Sequence, residues 1–344
     1  VNTVISAMAL MSPAGVGAGP FGEAIRAGVP LPGGAVEDFR TEAPDPSARP
    51  VRLVDRPSAM AIAAIGDLLG PDVLAGWPPH RRALVLGSGA AGIDQSMTLT
   101  RDSLTRPRPD NVNPALVPAC VMNYASAQAA MAFDLRGPNA TVTAGAATGL
   151  AALRYARRLL ASGRADAVVC GAYEDLNDRR AAIAEAAGRE ARPAEGCGVF
   201  LVEPAERARS HGRPVLAEVL ALESRVFDEP CHAPAVLDAA VRRALRTGGA
   251  APENVGLLVP SGQEDAGLRL PAHTRVLRPS EIVGDAFGAA AALQVAAAIA
   301  VRDASRERAS LDPAGGLALI TTIDTDGHAA CCLLRTGGRG GPGT

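Results

Sequence analysis

The chain has 344 residues, enough for about two ordinary domains and a large buried core. Hydrophobic residues make up 48% and charged residues 20%, and its 37 Gly and 27 Pro fall short of the roughly 25–30% share that marks disordered chains, so a disordered protein is excluded. A net charge of −2 offers neither nucleic acid nor an anionic membrane the basic face it needs, and a small-molecule or protein partner is expected instead. All the basic residues are Arg; without Lys, no Schiff-base, P-loop or general-base lysine chemistry is available.

In chain order, residues 4–11 are an apolar run closed by Ser12-Pro13 and read as a buried strand entering a turn. A helix over 21–27 follows, and residues 30–57, rich in Pro, Gly and charge, suit a surface loop. Residues 59–69 read as helix and 82–86 as strand. The strand leads into Gly87-Ser88-Gly89-Ala90-Ala91-Gly92, a literal G-x-G-x-x-G. Alone, that motif is a dinucleotide-binding turn, but the polar stretch 98–113 that follows supplies no second strand closed by an acidic residue about twenty positions on, so the reading is disfavoured.

Residues 117–133 read as one helix, broken by Arg136-Gly137-Pro138-Asn139, and 141–143 as a strand. Residues 146–161 are helical, with Leu150, Leu153 and Leu160 on one side and Arg154, Arg157 and Arg158 on another, ended near Gly163. A strand over 165–169 follows. The pattern recurs in the last third: small residues opening an Ala-rich helix over 284–301, a connector, and a strand over 317–322. Two copies of one unit predict an internally duplicated α/β fold whose helices pack closely between sheets. The Gly-rich residues 336–344 read as a disordered tail.

The six cysteines, Cys120, Cys170, Cys197, Cys231, Cys331 and Cys332, form no C-x-x-C pair, and only Cys231 has a histidine beside it. Neither a metal site nor a cofactor is expected, and five of the six, in apolar or small-residue runs, read as buried reduced thiols of a cytoplasmic protein. No basic region precedes the N-terminal apolar run, and the small-apolar stretch 288–301 is shorter than the roughly 20 residues that span a bilayer, so neither signal peptide nor membrane span is expected.

Four segments, in order, together resemble the β-ketoacyl synthase family. They are residues 4–15 with their Ser12-Pro13-Ala14-Gly15 turn, the strand ending in Gly87-Ser88-Gly89, Leu135-Arg136-Gly137-Pro138 leading into Ala146-Ala147-Thr148-Gly149-Leu150, and Glu195-Gly196-Cys197-Gly198 with residues 201–207. The resemblance implies a thiolase-like fold, internally duplicated and five-layered (αβαβα), with halves at 1–208 and 209–335. It also implies that the family's catalytic set is gone. The attacking cysteine at the start of the central helix stands as Ala146. The H-G-T-G-T segment stands as Ser261-Gly262-Gln263-Glu264-Asp265, and the K-S-x-x-G-H segment as Ser280-Glu281-Ile282-Val283-Gly284-Asp285. Nucleophile, both histidines and the lysine are thus replaced by Ala146, Ser261, Asp285 and Ser280, and the gating loop by residues 322–328.

A chain of this family without its chemistry resembles the chain length factors, the β subunits of type II polyketide ketosynthases. That likeness implies no activity of its own, a heterodimer with a catalytic ketosynthase, and service to an acyl carrier protein bearing malonyl and the growing chain. Length control falls on Pro118, Cys120, Val121, Met122 and Tyr124, with Tyr124 or Met122 as tunnel floor. The dimer strand falls on Asn139, Ala140, Thr141, Val142, Thr143 and Ala144. Many such factors carry glutamine where this chain has Ala146. Two rival readings stay open: a diverged acyltransferase or hydrolase using Ser261, His328 or a cysteine, and a homodimeric acyl-binding scaffold. Cys120 itself is read as mid-helix, where the N–H groups are already bonded and cannot favour a thiolate.

Overall fold

The computed structural model describes residues 2–37, 39, 54–70, 73–188, 191–262, 268–305, 316–324 and 326–336. Most of the expected 30–57 loop, the tail from 337 on and Gln263, Glu264 and Asp265 lie outside them.

The N-terminal half runs β1 (Thr3–Ser12), β2 (Gly15–Val16), α1 (Ala18–Ala27), α2 (Arg56–Leu69), β3 (Arg82–Gly87) and α3 (Ile93–Thr105). It continues with α4 (Tyr124–Ala132), β4 (Asn139–Val142), α5 (Thr148–Ala161), β5 (Ala167–Glu174), α6 (Asp178–Ala186) and β6 (Gly196–Pro204). After α7 (Ala205–Ser210) come β7 (Ala217–Val226), α8 (Ala233–Thr247), β8 (Val255–Pro260) and β9 (Arg275–Val276). The last elements are α9 (Pro279–Val283), α10 (Ala290–Ser305), β10 (Leu317–Asp324) and β11 (His328–Thr336).

The strands follow one hydrogen-bonded path, β4-β3-β5-β6-β1-β7-β11-β10-β8-β9, with β2 paired to β1. Its two halves repeat each other. β3 is parallel to β4 and β5, and β6 is antiparallel to β5 and β1. Likewise β8 is parallel to β9 and β10, and β11 is antiparallel to β10 and β7. Among the described residues the two halves of the strand path pair where Val4 and Ile5 of β1 meet Glu218 and Ala217 of β7. Chain order and pairing sense match strand for strand, which is the internal duplication expected from the repeated unit.

Side-chain alternation sorts the strands into layers, since successive residues point to opposite faces. Ala83 and Val85 of β3 join a central core with α1, α5 and α10, while Leu84 and Leu86 join an outer core with α2 and α4. In the second half Ala318 and Ile320 face the centre, and Leu317 and Leu319 face α8. The layers are therefore α, β, α, β, α. The middle layer needs small side chains: Ala291 through Ala298 of α10 are buried on every face, and a Cβ on Gly149 of α5 would stand 2.5 Å from the Ala292 nitrogen. A helix apolar all round is an interior helix.

Three expectations are corrected. The single helix over 117–133 is a 3-10 helix, Pro114–Cys120, followed by a turn and α4. Pro114 and Pro118 lack the N–H groups a continuous α-helix needs, and Asn113 caps the shorter element through the Ala115 nitrogen at 3.1 Å. Cys120 therefore ends a 3-10 helix rather than lying inside an α-helix. The polar stretch after the glycine turn, where no second strand was expected, is helical through Thr105, with Arg106 pairing with Asp102 at 2.6 Å. Regular pairing in the predicted dimer strand stops at Val142, leaving Thr143 and Ala144 outside β4. Thr336 belongs to β11, its nitrogen bonded to the Gly316 carbonyl at 2.9 Å, and not to a tail.

Candidate functional site

The four positions expected to replace the family's catalytic set come from four separate segments, and the fold brings them together. Ala146 lies in the 3-10 turn Gly145–Ala147 that opens α5; Ser261 follows β8; Ser280 is on α9; Asp285 precedes α10. All four line one cavity of about 430 Å³, with Arg192, Glu281 and Ile323 among its other walls. Three of its polar side chains, Ser280, Asp285 and Arg192, are engaged with the backbone. The Ser280 hydroxyl donates to the Ser261 carbonyl (3.1 Å), and the Asp285 carboxylate accepts from the Phe287 nitrogen (2.8 Å), capping the turn into α10. Arg192 donates to the carbonyls of Leu31, Gly33 and Ile282. A methyl group at 146 offers no nucleophile.

The α5 N-terminus is nonetheless an anion site, because its first N–H groups lack intrahelical partners and the helix dipole favours negative charge there. This chain fills that site internally. Asp324, at the end of β10 and 2% exposed, accepts from the Ala146 nitrogen at 2.6 Å through one oxygen and from the Asp326 nitrogen at 2.9 Å through the other. Gly145 turns with φ of 52° directly under the carboxylate, where any Cβ would collide with it. Asp324 was legible only as part of a turn-forming Asp-Thr-Asp-Gly run, which does not announce a carboxylate turned inward.

On the far side of that turn lies a second cavity of about 880 Å³, walled by residues 142–145, Arg154, Tyr155, Arg158, Asp324, Asp326 and His328. His328 places Nε2 2.5 Å from the Ser224 hydroxyl, and its Nδ1 is buried with no partner among the described residues. Burial and the nearby Arg154 cation hold its pKa below the ordinary value of 6.5, against the opposing pull of Asp324. Sequence reading singled out His328 but not Ser224, which lies on another strand.

The glycine turn after β3 also holds an internal carboxylate. Glu174, fully buried at the end of β5, accepts from the Ser88 hydroxyl (2.9 Å) and from the nitrogens of Gly89 (2.7 Å), Ala90 (3.0 Å) and Gly288 (3.2 Å). The backbone nest that would cradle a phosphate is occupied by a side chain, which is why the G-x-G-x-x-G is not a nucleotide motif. Burial pushes the Glu174 carboxyl up to about 7, opposed by Arg180 and these donors.

The family model described as Beta-ketoacyl synthase, N-terminal domain, matches residues 34–203. Among curated proteins, 3-oxoacyl-(acyl-carrier-protein) synthase 2 of Coxiella burnetii is 24% identical over 263 residues, covering 65% of this chain and 63% of that one. The namesake from Rhizobium meliloti is 30% identical over 178 residues, covering 42% and 41%. These matches thus span less than two thirds of those relatives. The solved structure of the ishigamide ketosynthase/chain length factor superposes with a TM-score of 0.84 at 32% identity, covering 98% of this chain and 100% of that one. The chain belongs to the β-ketoacyl synthase family. A type II PKS acyl-carrier protein in complex with its ketosynthase, bound to the hexaketide, shares the fold at a TM-score of 0.78 and 18% identity, covering 98% and 99%.

In this ketosynthase-family chain the expected tunnel residues face outward. Pro118, Val121 and Met122 are exposed, Cys120 and Tyr124 half-buried, and none of the five lines either cavity. Val117, Val121, Met122, Met131 and Tyr155 are large apolar side chains between 39% and 65% exposed. β4 ends the strand path with β3 as its partner. The cysteines are all free, four buried, Cys120 half-buried and Cys231 exposed, so Cys120 departs from the buried reading. Burial pushes the Cys197 and Cys331 thiols up to about 12. Glu229, Cys231 and His232, all exposed, bring ligand atoms within 4.8 Å of one another, on a 3-10 turn whose residues line neither cavity. Among the described residues no helix is long and apolar enough to cross a membrane.

Proposed function

We propose that this chain is a chain length factor: a non-catalytic ketosynthase homologue that pairs with an active ketosynthase and shapes the tunnel that sets polyketide or acyl chain length on an acyl carrier protein. Ala146 carries the reading. The residue at the head of the central helix has no nucleophilic atom, and Ser261, Ser280 and Asp285 beside it offer no imidazole or ammonium to a developing enolate. The whole-chain likeness to a structure named as a ketosynthase/chain length factor supports the same role. So does an edge strand that among the described residues pairs on one side only and is flanked by exposed apolar side chains, which suits a large apolar interface with a homologous subunit. Six free cysteines fit a reducing cytoplasm.

Coexpression with an active ketosynthase, followed by size exclusion and elongation of malonyl carrier protein with and without this chain, tests the proposal. A one-to-one complex that elongates only when both chains are present is expected. Elongation by this chain alone overturns it.

A second reading, a diverged acyltransferase, is favoured by one contact, the 2.5 Å approach of the Ser224 hydroxyl to His328 Nε2. Acylation of Ser224 by an acyl thioester, read by mass spectrometry of the intact chain, would establish it in place of the first.

A further inference from the structure

Asp324 and Gly145 line the larger cavity, while Ala146 and Ile323 line the smaller one. The turn at 145–146 and the strand end at 323–324 therefore form the wall the two cavities share. Within that wall the Asp324 carboxylate, 2% exposed, holds the Ala146 N–H at 2.6 Å. For an acyl thioester to react here, a thiolate at 146 would have to form a C–S bond to the thioester carbon, with negative charge gathering on the carbonyl oxygen until the donor's own thiolate left and took up a proton. Both anions would depend on the α5 N-terminus. Its N–H is already donated to a carboxylate, and a fixed negative charge a few ångströms away disfavours each of them.

We propose that Asp324 is a second lock on this position, a residue that excludes acyl thioesters from this subunit independently of the missing nucleophile, so that loading is confined to the catalytic partner. The inference deepens the chain length factor reading and rests on it for its biological sense. Its chemistry stands on the geometry alone. Loss of the cysteine removes the attacking atom; Asp324 removes the electrostatic environment that would make any replacement competent.

The test uses the full-length chain carrying Ala146→Cys, with Asp324 intact or replaced by Asn or Gly. Asparagine keeps an oxygen to accept from the residue 146 nitrogen but carries no charge, and Gly clears the donor. Alkylation by iodoacetamide across pH and acylation by the N-acetylcysteamine thioester of hexanoic acid are followed by peptide mass spectrometry, with exposed Cys231 as the internal standard. With Asp324 intact, the introduced thiol should react no faster than Cys231. The Asp324→Asn double variant should lower its apparent pKa by about one unit and raise acylation at neutral pH about tenfold, with Gly matching or exceeding this. Acylation of the single variant faster than Cys231, or equal rates with and without the carboxylate, overturns the proposal. The single variant alone decides the first outcome even if a double variant unfolds. Failure of the chain length factor reading shows separately, as elongation by the unmodified chain without a partner.

Discussion

At the scale of single residues, one buried and one half-buried titrating group give pH signatures of opposite sign. Glu174 is held up to about 7 in the fold against an ordinary 4.5, so the folded chain binds its proton more tightly than the unfolded one. Its contribution to stability is therefore complete below pH 4.5 and lost as pH rises through about 7, an effect on the order of 3 kcal/mol. Glu174→Gln should flatten that part of the profile, measured as the difference in urea midpoint between pH 5 and 7.5; an unchanged slope would mean that the four donors hold Glu174 ionised throughout. His328 works the other way. Its folded pKa lies below 6.5, so its contribution is present above 6.5 and lost as pH falls from there through the folded value. His328→Gln should remove that acid-side loss while leaving the Glu174 slope in place. Neither group could be read as buried and titrating from the sequence: Glu174 follows an apolar run that says only strand, and the donors around it come from residues about 85 and 114 positions away.

At the scale of elements, the strands and central helices were legible because their signals are local. A continuous apolar run, a proline or glycine stop and an uncharged alanine-rich stretch each act over a few residues. What failed were extents and breaks. Residues 117–133 carry enough apolar content for a helix, yet Pro118 at their start, with Pro114 just before them, decides the outcome. The convergence of Ala146, Ser261, Ser280 and Asp285 was accessible only through resemblance, because no periodicity links positions separated by 139 residues from first to last. The α5–α10 contact shows why the middle layer tolerates so little. Gly149→Val would drive a branched side chain into the Ala292 backbone, 2.5 Å from where its Cβ must sit. The two central helices belong to different halves, so the strain falls on the joint between repeats. A loss of about 1–3 kcal/mol or more is expected by urea denaturation, whereas Ala151→Val, at a half-buried position lining the open cavity, should cost well under that.

At the scale of the whole molecule, the strand path ends at β4, which among the described residues pairs with β3 alone. The Pro138 and Val142 carbonyls accept from the nitrogens of Leu84 (3.0 Å) and Ser88 (3.3 Å), so the alternate residues 139, 141 and 143 turn their backbone groups away from β3. A homologous partner adding its own strand there would use those groups. Thr143→Pro removes an outward N–H without touching the bonds to β3, while Thr143→Ala leaves the backbone unchanged. Proline should weaken the one-to-one complex about tenfold or more by size exclusion at fixed concentration, and alanine should leave it intact; the isolated chain's melting temperature should match in all three. If proline spares the complex, the partner does not extend this strand. On the proposed chain length factor role, the exposed Met122 and the half-buried Tyr124, which lie outside both cavities of this subunit, would close a tunnel only with a second subunit supplying the opposite wall. Met122→Ala and Tyr124→Ala, assayed in the reconstituted pair, should each free apolar volume and shift products toward longer chains. Product length unchanged in both would leave the complex standing but move the tunnel's end to another element. That outcome is separable from a failed interface, because the Thr143 variants test assembly before any chain is made.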